Sequence, residues 1–334
     1  MSALASAGAA LAACQAAPST PGKPPALPDQ PNSGVNVVVM IYRQEFSEDD
    51  MQRFMQENPG ISLEFVDLAT SAGFSAMAAA GTPPDLVRVE APSVPQMLAR
   101  QLLLDLTPYF ETSKILKTDD LMPVNDYYKA ESPLRVGSGS IYGMCKDFSP
   151  DLTIFINKAI FDKNNLPVDD TQSWTYAEIM DIAMKVLEKE GDRITTHGFG
   201  WEGNWIDRFW MNSLAETGLS LYSEGYDKLN LAGSEEAVRI ARWYFDMQKD
   251  LLTFSAINPS PNGGIGADFS AGQLAMCQYG FWFSAMAEGE TTRGKVMMMP
   301  APHWAGQRRD VAISATGVVI PSATKVADAA WKGF

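Results

Sequence analysis

Val35-Asn36-Val37-Val38-Val39-Met40-Ile41-Tyr42 is β-branched and almost unbroken in apolar side chains. Strands of parallel sheets, covered on both faces, have this composition. Ser47 then caps a helix through about Glu57, and Asn58-Pro59-Gly60 stops it. Ile61 to Leu68 reads as a second strand. Phe74 to Gly81 reads as a short Ala/Met helix, ended by Pro83-Pro84. Asp85-Leu86-Val87-Arg88-Val89 is a third strand. Strand, helix, strand, helix, strand specifies an α/β layer with a parallel sheet.

The pattern recurs after Tyr142-Gly143-Met144. Asp151 to Ile156 reads as a strand. Thr175-Tyr176-Ala177-Glu178 is a capping box, whose helix is expected to run to about Glu190 and to stop at Gly191. Ser234 caps a further helix, and Ser270-Ala271-Gly272-Gln273 has the form of another capping box. Ala275 to Tyr279, Lys295 to Met299 and Gly317 to Ile320 read as short strands. A last helix begins at Thr324 and is cut off at Phe334, so the chain reads as truncated there.

The chain has 334 residues, enough for one large core or two ordinary ones. Its formal net charge of −14 argues against a nucleic-acid partner, whose phosphates need Lys and Arg. Three cysteines are too few for a disulfide framework. Cys145 and Cys277 could pair in an oxidising compartment, or stand as two buried thiols. The two histidines, His197 and His303, are far apart, and no Cys/His cluster has zinc spacing. There is no G-x-S-x-G, no P-loop and no G-x-G-x-x-G after a strand, so neither a cofactor nor a metal is expected.

Leu11-Ala12-Ala13-Cys14 ends a small-residue run, and a Pro/Ser/Ala-rich stretch follows from Gln15 to Gly34. The tetrapeptide resembles a bacterial lipobox, in which the cysteine thiol receives a diacylglyceryl group after cleavage. On that reading 1–13 is a signal-peptide remnant, Cys14 is lipidated, and 14–34 is a linker. The protein is then tethered to the outer face of the cell membrane. No basic residue precedes the apolar run, although a signal peptide needs one.

Several segments, in order, resemble the sugar-type extracellular solute-binding proteins of ABC importers, the maltose-binding-protein-like family. They are Thr82-Pro83-Pro84-Asp85-Leu86-Val87, and then Leu104-Asp105-Leu106-Thr107-Pro108-Tyr109. Next comes Ile154-Phe155-Ile156-Asn157-Lys158, with Ile160-Phe161-Asp162 and Trp174-Thr175. Phe269-Ser270-Ala271-Gly272-Gln273-Leu274-Ala275-Met276 follows, with Gly280 and Trp282. Met299-Pro300-Ala301-Pro302, Gly317-Val318-Val319-Ile320 and Ala330-Trp331-Lys332 complete the series. Ser314-Ala315 departs from it, standing where many members have a Gly pair.

The resemblance implies an α/β, two-lobed periplasmic-binding-protein-like fold, each lobe a mostly parallel sheet flanked by helices, joined by hinge strands. It places an N-lobe at 35–146 plus 301–327 and a C-lobe at 150–296, without the family's C-terminal helices. It puts crossings near Met144 to Ser149 and near Val296 to Pro302.

A sugar asks for aromatic rings against its C–H faces and planar polar groups for its paired hydroxyls. Gly198 to Trp210, which reads as a Gly-punctuated loop leading into a helix, is rich in both. Trp201 and Trp205 flank Gly203 and a polar cluster, with Asp207 and Arg208 just after them, and are read as cleft-lining or as core. Trp210 is read as core. The resemblance puts Trp282 at the cleft wall. Tyr42, Arg43 and Glu45 leave the first strand at its C-terminal end, where ligands of open α/β sheets gather. Glu90 leaves the third strand at the same end, whereas Asp85 is a candidate turn cap. Asp147 and Asp151 flank the first crossing and are read as ligand contacts or as solvated charges.

These readings converge on a monomeric, lipid-anchored solute receptor. It closes two lobes on a mono- or oligosaccharide and delivers it to an ABC permease, with no catalytic task. An exported glycosidase and a sensor for a membrane kinase are the alternatives. The many acids favour the former, but no pair is singled out by spacing.

Overall fold

The computed structural model describes residues 34–71, 73–169, 171–201, 206–220, 222–223, 228–231, 233–250, 252–254, 258–304 and 313–334. The first lobe contains β1 (Val35–Ile41), α1 (Glu48–Glu57), β2 (Ile61–Asp67), α2 (Phe74–Ala79), β3 (Leu86–Glu90), α3 (Val94–Ala99) and α4 (Thr107–Thr112). The hairpin β4 (Lys129–Ser132) and β5 (Arg135–Ile141) and the strand β6 (Met144–Pro150) follow. The second lobe holds β7 (Thr153–Asn157), α5 (Lys158–Lys163), α6 (Tyr176–Val186), β8 (Glu188–Glu190), β9 (Arg193–Trp201) and α7 (Ile206–Glu216). It continues with α8 (Glu235–Lys249), α9 (Ile265–Ser270), β10 (Leu274–Tyr279) and β11 (Val296–Met299). β12 (Ile313–Val319) and α10 (Ala327–Trp331) return to the first lobe.

Each lobe is built on a five-stranded sheet. The orders are β2-β1-β3-β12-β6 and β11-β7-β10-β9-β8. Both sheets are mixed rather than mostly parallel. β1 pairs in parallel with β2 and β3, and β10 with β9, but the other neighbours are antiparallel. The double crossing is the cause. β6 leaves for the second lobe and β12 arrives from it, so the two run oppositely where they pair.

The expectation of a sheet covered on both faces holds in β1 from Val37 to Ile41, whereas Val35 and Asn36 at its start are exposed. Val37, Val39 and Ile41 pack with Met51, Phe110 and Ala330 on one face. Met40 packs with Val87, Val94 and Tyr128 on the other. In the second lobe Ile154 and Ile156 face Tyr176, Ile179, Ile240 and Trp243, while Phe155 and Cys277 face Ile265 and Phe269. The terminal helix is shorter than the Thr324 start implies. It docks on the first lobe, with Trp331 edge-on to Phe110 at 5.0 Å and the Tyr109 hydroxyl donating to Asp328 at 3.0 Å.

Three local expectations are revised. The capping box at Thr175 forms, but its helix ends at Val186. Gly191, at φ +62°, turns an antiparallel β8–β9 hairpin instead of stopping a helix. Gly198 to Trp201, read as part of a loop, belongs to β9. The glycine is there for space: a Cβ on Gly198 would lie 2.4 Å from Ala183 Cα, so α6 could not approach the sheet. Ser270 to Gln273 does not start a helix but ends α9, with Gly272 at φ +78° making the left-handed exit.

The chain passes to the second lobe between Pro150 and Thr153. Its return is later than Val296 to Pro302. The His303 N–H donates to the Trp174 carbonyl and Trp304 is buried in the second lobe's core, so the return follows Trp304. Cys145 and Cys277 are free thiols on different sheets. Among the described residues, no helix is long and apolar enough to cross a membrane.

Candidate functional site

The site grows from the pattern of β3. Val87 and Val89 are buried on one face of the strand. Arg88 and Glu90 stand on the other, so a guanidinium sits inside a strand that is otherwise apolar up to Glu90. Arg88 is nearly buried, and its Nε donates to both carboxylate oxygens of Glu45 at 3.1 Å. Its guanidinium also lies 4.8 Å above the Tyr42 ring. Lys146 approaches the same Glu45 at 3.4 Å and pairs with Asp147.

Strand register carries the network across the sheet. Thr316 on β12 lies opposite Glu90 on one side and Asp147 on the other. Its hydroxyl donates to the Asp147 carboxylate. The neighbouring Gly317 lets β6 and Tyr128 close in, since a Cβ there would lie 2.5 Å from both the Met144 carbonyl and the Tyr128 ring.

Arg208, on α7 of the second lobe, reaches this row. Its Nη1 donates to Asp151 at 2.6 Å and its Nη2 to Glu90 at 3.1 Å. Asp151 lies on the segment crossing between lobes and is fully buried. Burial pushes its carboxyl up to about 6, and the Glu90 charge adds to this, while Arg208 and the Ser314 hydroxyl pull it down.

Trp282 completes the junction. It lies in the short helical turn Phe281–Ala285, which packs against β6 of the other lobe. The indole is 43% exposed, with Tyr279 edge-on at 5.0 Å. Gly280 is the floor beneath it. A Cβ on Gly280 would lie 2.1 Å from Trp282 Nε1 and 3.0 Å from Asp151 Oδ1, so the indole and the buried carboxylate converge on this glycine. A groove of about 430 Å³ runs along β6 from Asp147 and the half-exposed Phe148 to Met122 and Asn125.

The structure thus brings together Tyr42, Glu45, Glu90, Asp147, Asp151 and Trp282. Arg43 is apart from them, stacked 4.1 Å over Phe65 beside the edge strand β2. Trp201 packs into the second lobe's aromatic core, parallel to Phe209 at 6.3 Å and 5.1 Å from Tyr244. Asp85 caps no turn; its carboxylate accepts from the Val38 N–H of β1 at 2.9 Å. Trp205 and Cys14 lie outside the described residues, as does the Asp207 side chain, whose backbone is in the first turn of α7. Sequence reasoning passed over Arg88, Lys146 and Thr316, and noted Arg208 only as part of the Trp-rich segment. For Arg88 the signal is a cation inside a buried strand, and for Arg208 a cation in the Trp-rich segment. Among the described residues, no group of three or more His, Cys, Asp or Glu could hold a metal ion.

The arrangement offers carboxylates, a guanidinium and an exposed indole at the meeting of two lobes. Such a set binds a polar molecule with flat apolar faces, and closing the lobes would take it out of water. A sequence profile of the bacterial extracellular solute-binding proteins matches residues 41–332. The fold is similar to the ABC substrate-binding protein Lmo0181 from Listeria monocytogenes, in complex with cycloalternan. The TM-score is 0.74 at 20% identity, over 90% of this chain and 73% of that one. The GacH receptor of Streptomyces glaucescens, solved unliganded and with acarbose, gives a TM-score of 0.68 at 19% identity, over 90% and 74%. Maltose-bound MalE3 of T. maritima gives 0.67 at 20% identity, over 90% and 76%. No curated protein sequence matches the chain.

Proposed function

Because the chain belongs to the bacterial extracellular solute-binding protein family, we propose that it is the receptor of an ABC importer and that its solute is a carbohydrate. The two lobes close on the sugar at their junction and deliver it to a permease. Binding is the chain's whole task, and it acts as a monomer. The observation that carries this reading is Trp282 held over Gly280, beside Asp151, Arg208 and Glu90. An exposed indole offers a flat apolar face to a sugar ring, and carboxylates and a guanidinium pair with vicinal hydroxyls. Asp147 supplies an acceptor from the first lobe and Trp282 a flat face from the second, so a sugar held between them, beside the Glu90–Arg208 pair, favours closure. The solved proteins of similar fold that carry cycloalternan, acarbose and maltose support the same solute class.

The test is calorimetry and thermal shift against mono- and oligosaccharides, amino acids and phosphate. A ligand at a hundred times its Kd adds about 2.7 kcal/mol to stability. One carbohydrate should raise the melting temperature, and Trp282→Ala should weaken its binding at least tenfold. A shift with an amino acid or phosphate and none with any carbohydrate would overturn the solute class. Lipid anchoring through Cys14 belongs to the same proposal. Labelled fatty acid should enter the protein in a bacterial host when a complete signal peptide precedes it. Equal labelling of a Cys14→Ala variant would exclude the anchor.

A further inference from the structure

Among the described residues, no ion pair other than Glu90–Arg208 runs from one lobe's sheet to the other lobe's helices. Arg208 is anchored on its own side. Phe209 and Leu214 bury α7 in the second lobe's core, and the buried Asp151 carboxylate takes Nη1 at 2.6 Å. The second amino group is thereby aimed across the junction at Glu90. Glu90 itself is held by position, opposite Thr316 in the strand register and 3.7 Å from Arg88. The two ends of the bridge differ in solvent access: the Asp151 side chain is 1% exposed, Arg208 15% and Glu90 44%. The Asp151 link is shielded from salt, and the Glu90 link is open to it.

We propose that Arg208 is a positioning residue for closure: by pairing at once with Asp151 of the crossing segment and Glu90 of the first lobe, it holds the lobes together without help from a solute. Exposed ion pairs contribute up to about 1 kcal/mol, which is about fivefold in the ratio of closed to open forms. A solute that binds the closed form then binds more tightly, because its apparent Kd is the intrinsic value divided by the closed fraction. The effect on affinity rests on the receptor reading above. The effect on the solute-free protein does not.

Small-angle X-ray scattering of the solute-free protein tests this directly, at about 0.05 M and about 1 M salt, where the screening length falls from over 10 Å to about 3 Å. The wild type should expand at high salt. Glu90→Gln leaves the anchored Arg208–Asp151 pair in place and should be expanded at both salts. Arg208→Lys keeps a cation in reach and should restore part of the salt response, as a merely structural role would not. If Arg208→Lys does not fold, the Glu90→Gln comparison decides alone, since Glu90 is half exposed. Identical, salt-independent scattering of wild type and Glu90→Gln would overturn the proposal. A salt response with no sugar bound by any assay would leave the latch standing and remove only the solute class.

Discussion

Gly280→Ala tests the junction with a single methyl group. Gly280 has φ −69° and ψ 147°, a conformation open to every residue. On backbone grounds alone, alanine there should stabilise the protein by about 0.4–1 kcal/mol, because it narrows the unfolded ensemble. Space decides otherwise. The new Cβ would sit 2.1 Å from Trp282 Nε1, and the indole must retreat by about 1.3 Å to reach ordinary van der Waals contact. It cannot retreat toward Asp151, whose Oδ1 is 3.0 Å from the same Cβ. Overpacking of this kind costs about 1–3 kcal/mol, so the net effect is destabilising by about 1–2 kcal/mol. At about 2–4 °C per kcal/mol for a domain of this size, the melting temperature should fall by about 4 °C. The decisive measurement is the double variant. In a Trp282→Ala background, Gly280→Ala should lose most of its cost, because its partner is gone. If Gly280→Ala costs the same with and without the indole, Trp282 is not where the site requires it.

Three further outcomes follow from the same geometry. Gly198→Ala meets helix backbone instead of a movable side chain, at 2.4 Å from Ala183 Cα, and should cost over about 3 kcal/mol in urea unfolding; a cost below that of Gly280→Ala would contradict the close packing of α6 on β9. Asp151 titrates near 6 in the fold against 3.8 when exposed, so its contribution to stability is full below about pH 4 and lost as the pH rises through 6. Wild type should therefore gain about 3 kcal/mol on Asp151→Asn between pH 7 and pH 4, and parallel unfolding profiles would refute the assignment. Thr316→Val removes the hydroxyl that holds Asp147 in the row with Glu90, and sugar affinity should fall several-fold with little change in melting; an equal loss of both would mark Thr316 as a structural residue only.

Much of the first sheet was legible because its information is local. Val37 and Val39 against Met40 show both faces of β1 buried, and a strand buried on both faces is written in apolar continuity. The direction of β12 was not legible. Nothing within Ile313–Val319 says whether the chain reaches it from the same lobe or from the other, and that alone sets its antiparallel pairing with β3 and β6. β9 was missed for a related reason. Gly198 and Gly200 read as loop punctuation, but they mark close approach by Ala183 and by Leu274 and Ile265 respectively. Once β9 is a strand, period-2 alternation puts Trp201 on the face of Phe199, which is buried in the aromatic core.

The same logic explains why the acids of the proposed site were named from the sequence and its cations were not. Glu90, Asp147 and Asp151 stand at strand ends and at the lobe crossing, positions that a linear reading can locate. Arg208 stands in mid-segment on a helix, and its meaning depends on which carboxylates the other lobe presents. Its Nη1 and Nη2 are shared between the crossing segment and β3, residues separated from it by 57 and 118 positions. No local pattern encodes such a contact. A residue that ties two lobes together is specified only when both lobes are formed. A sequence can therefore display the two halves of a proposed binding site without saying which group joins them.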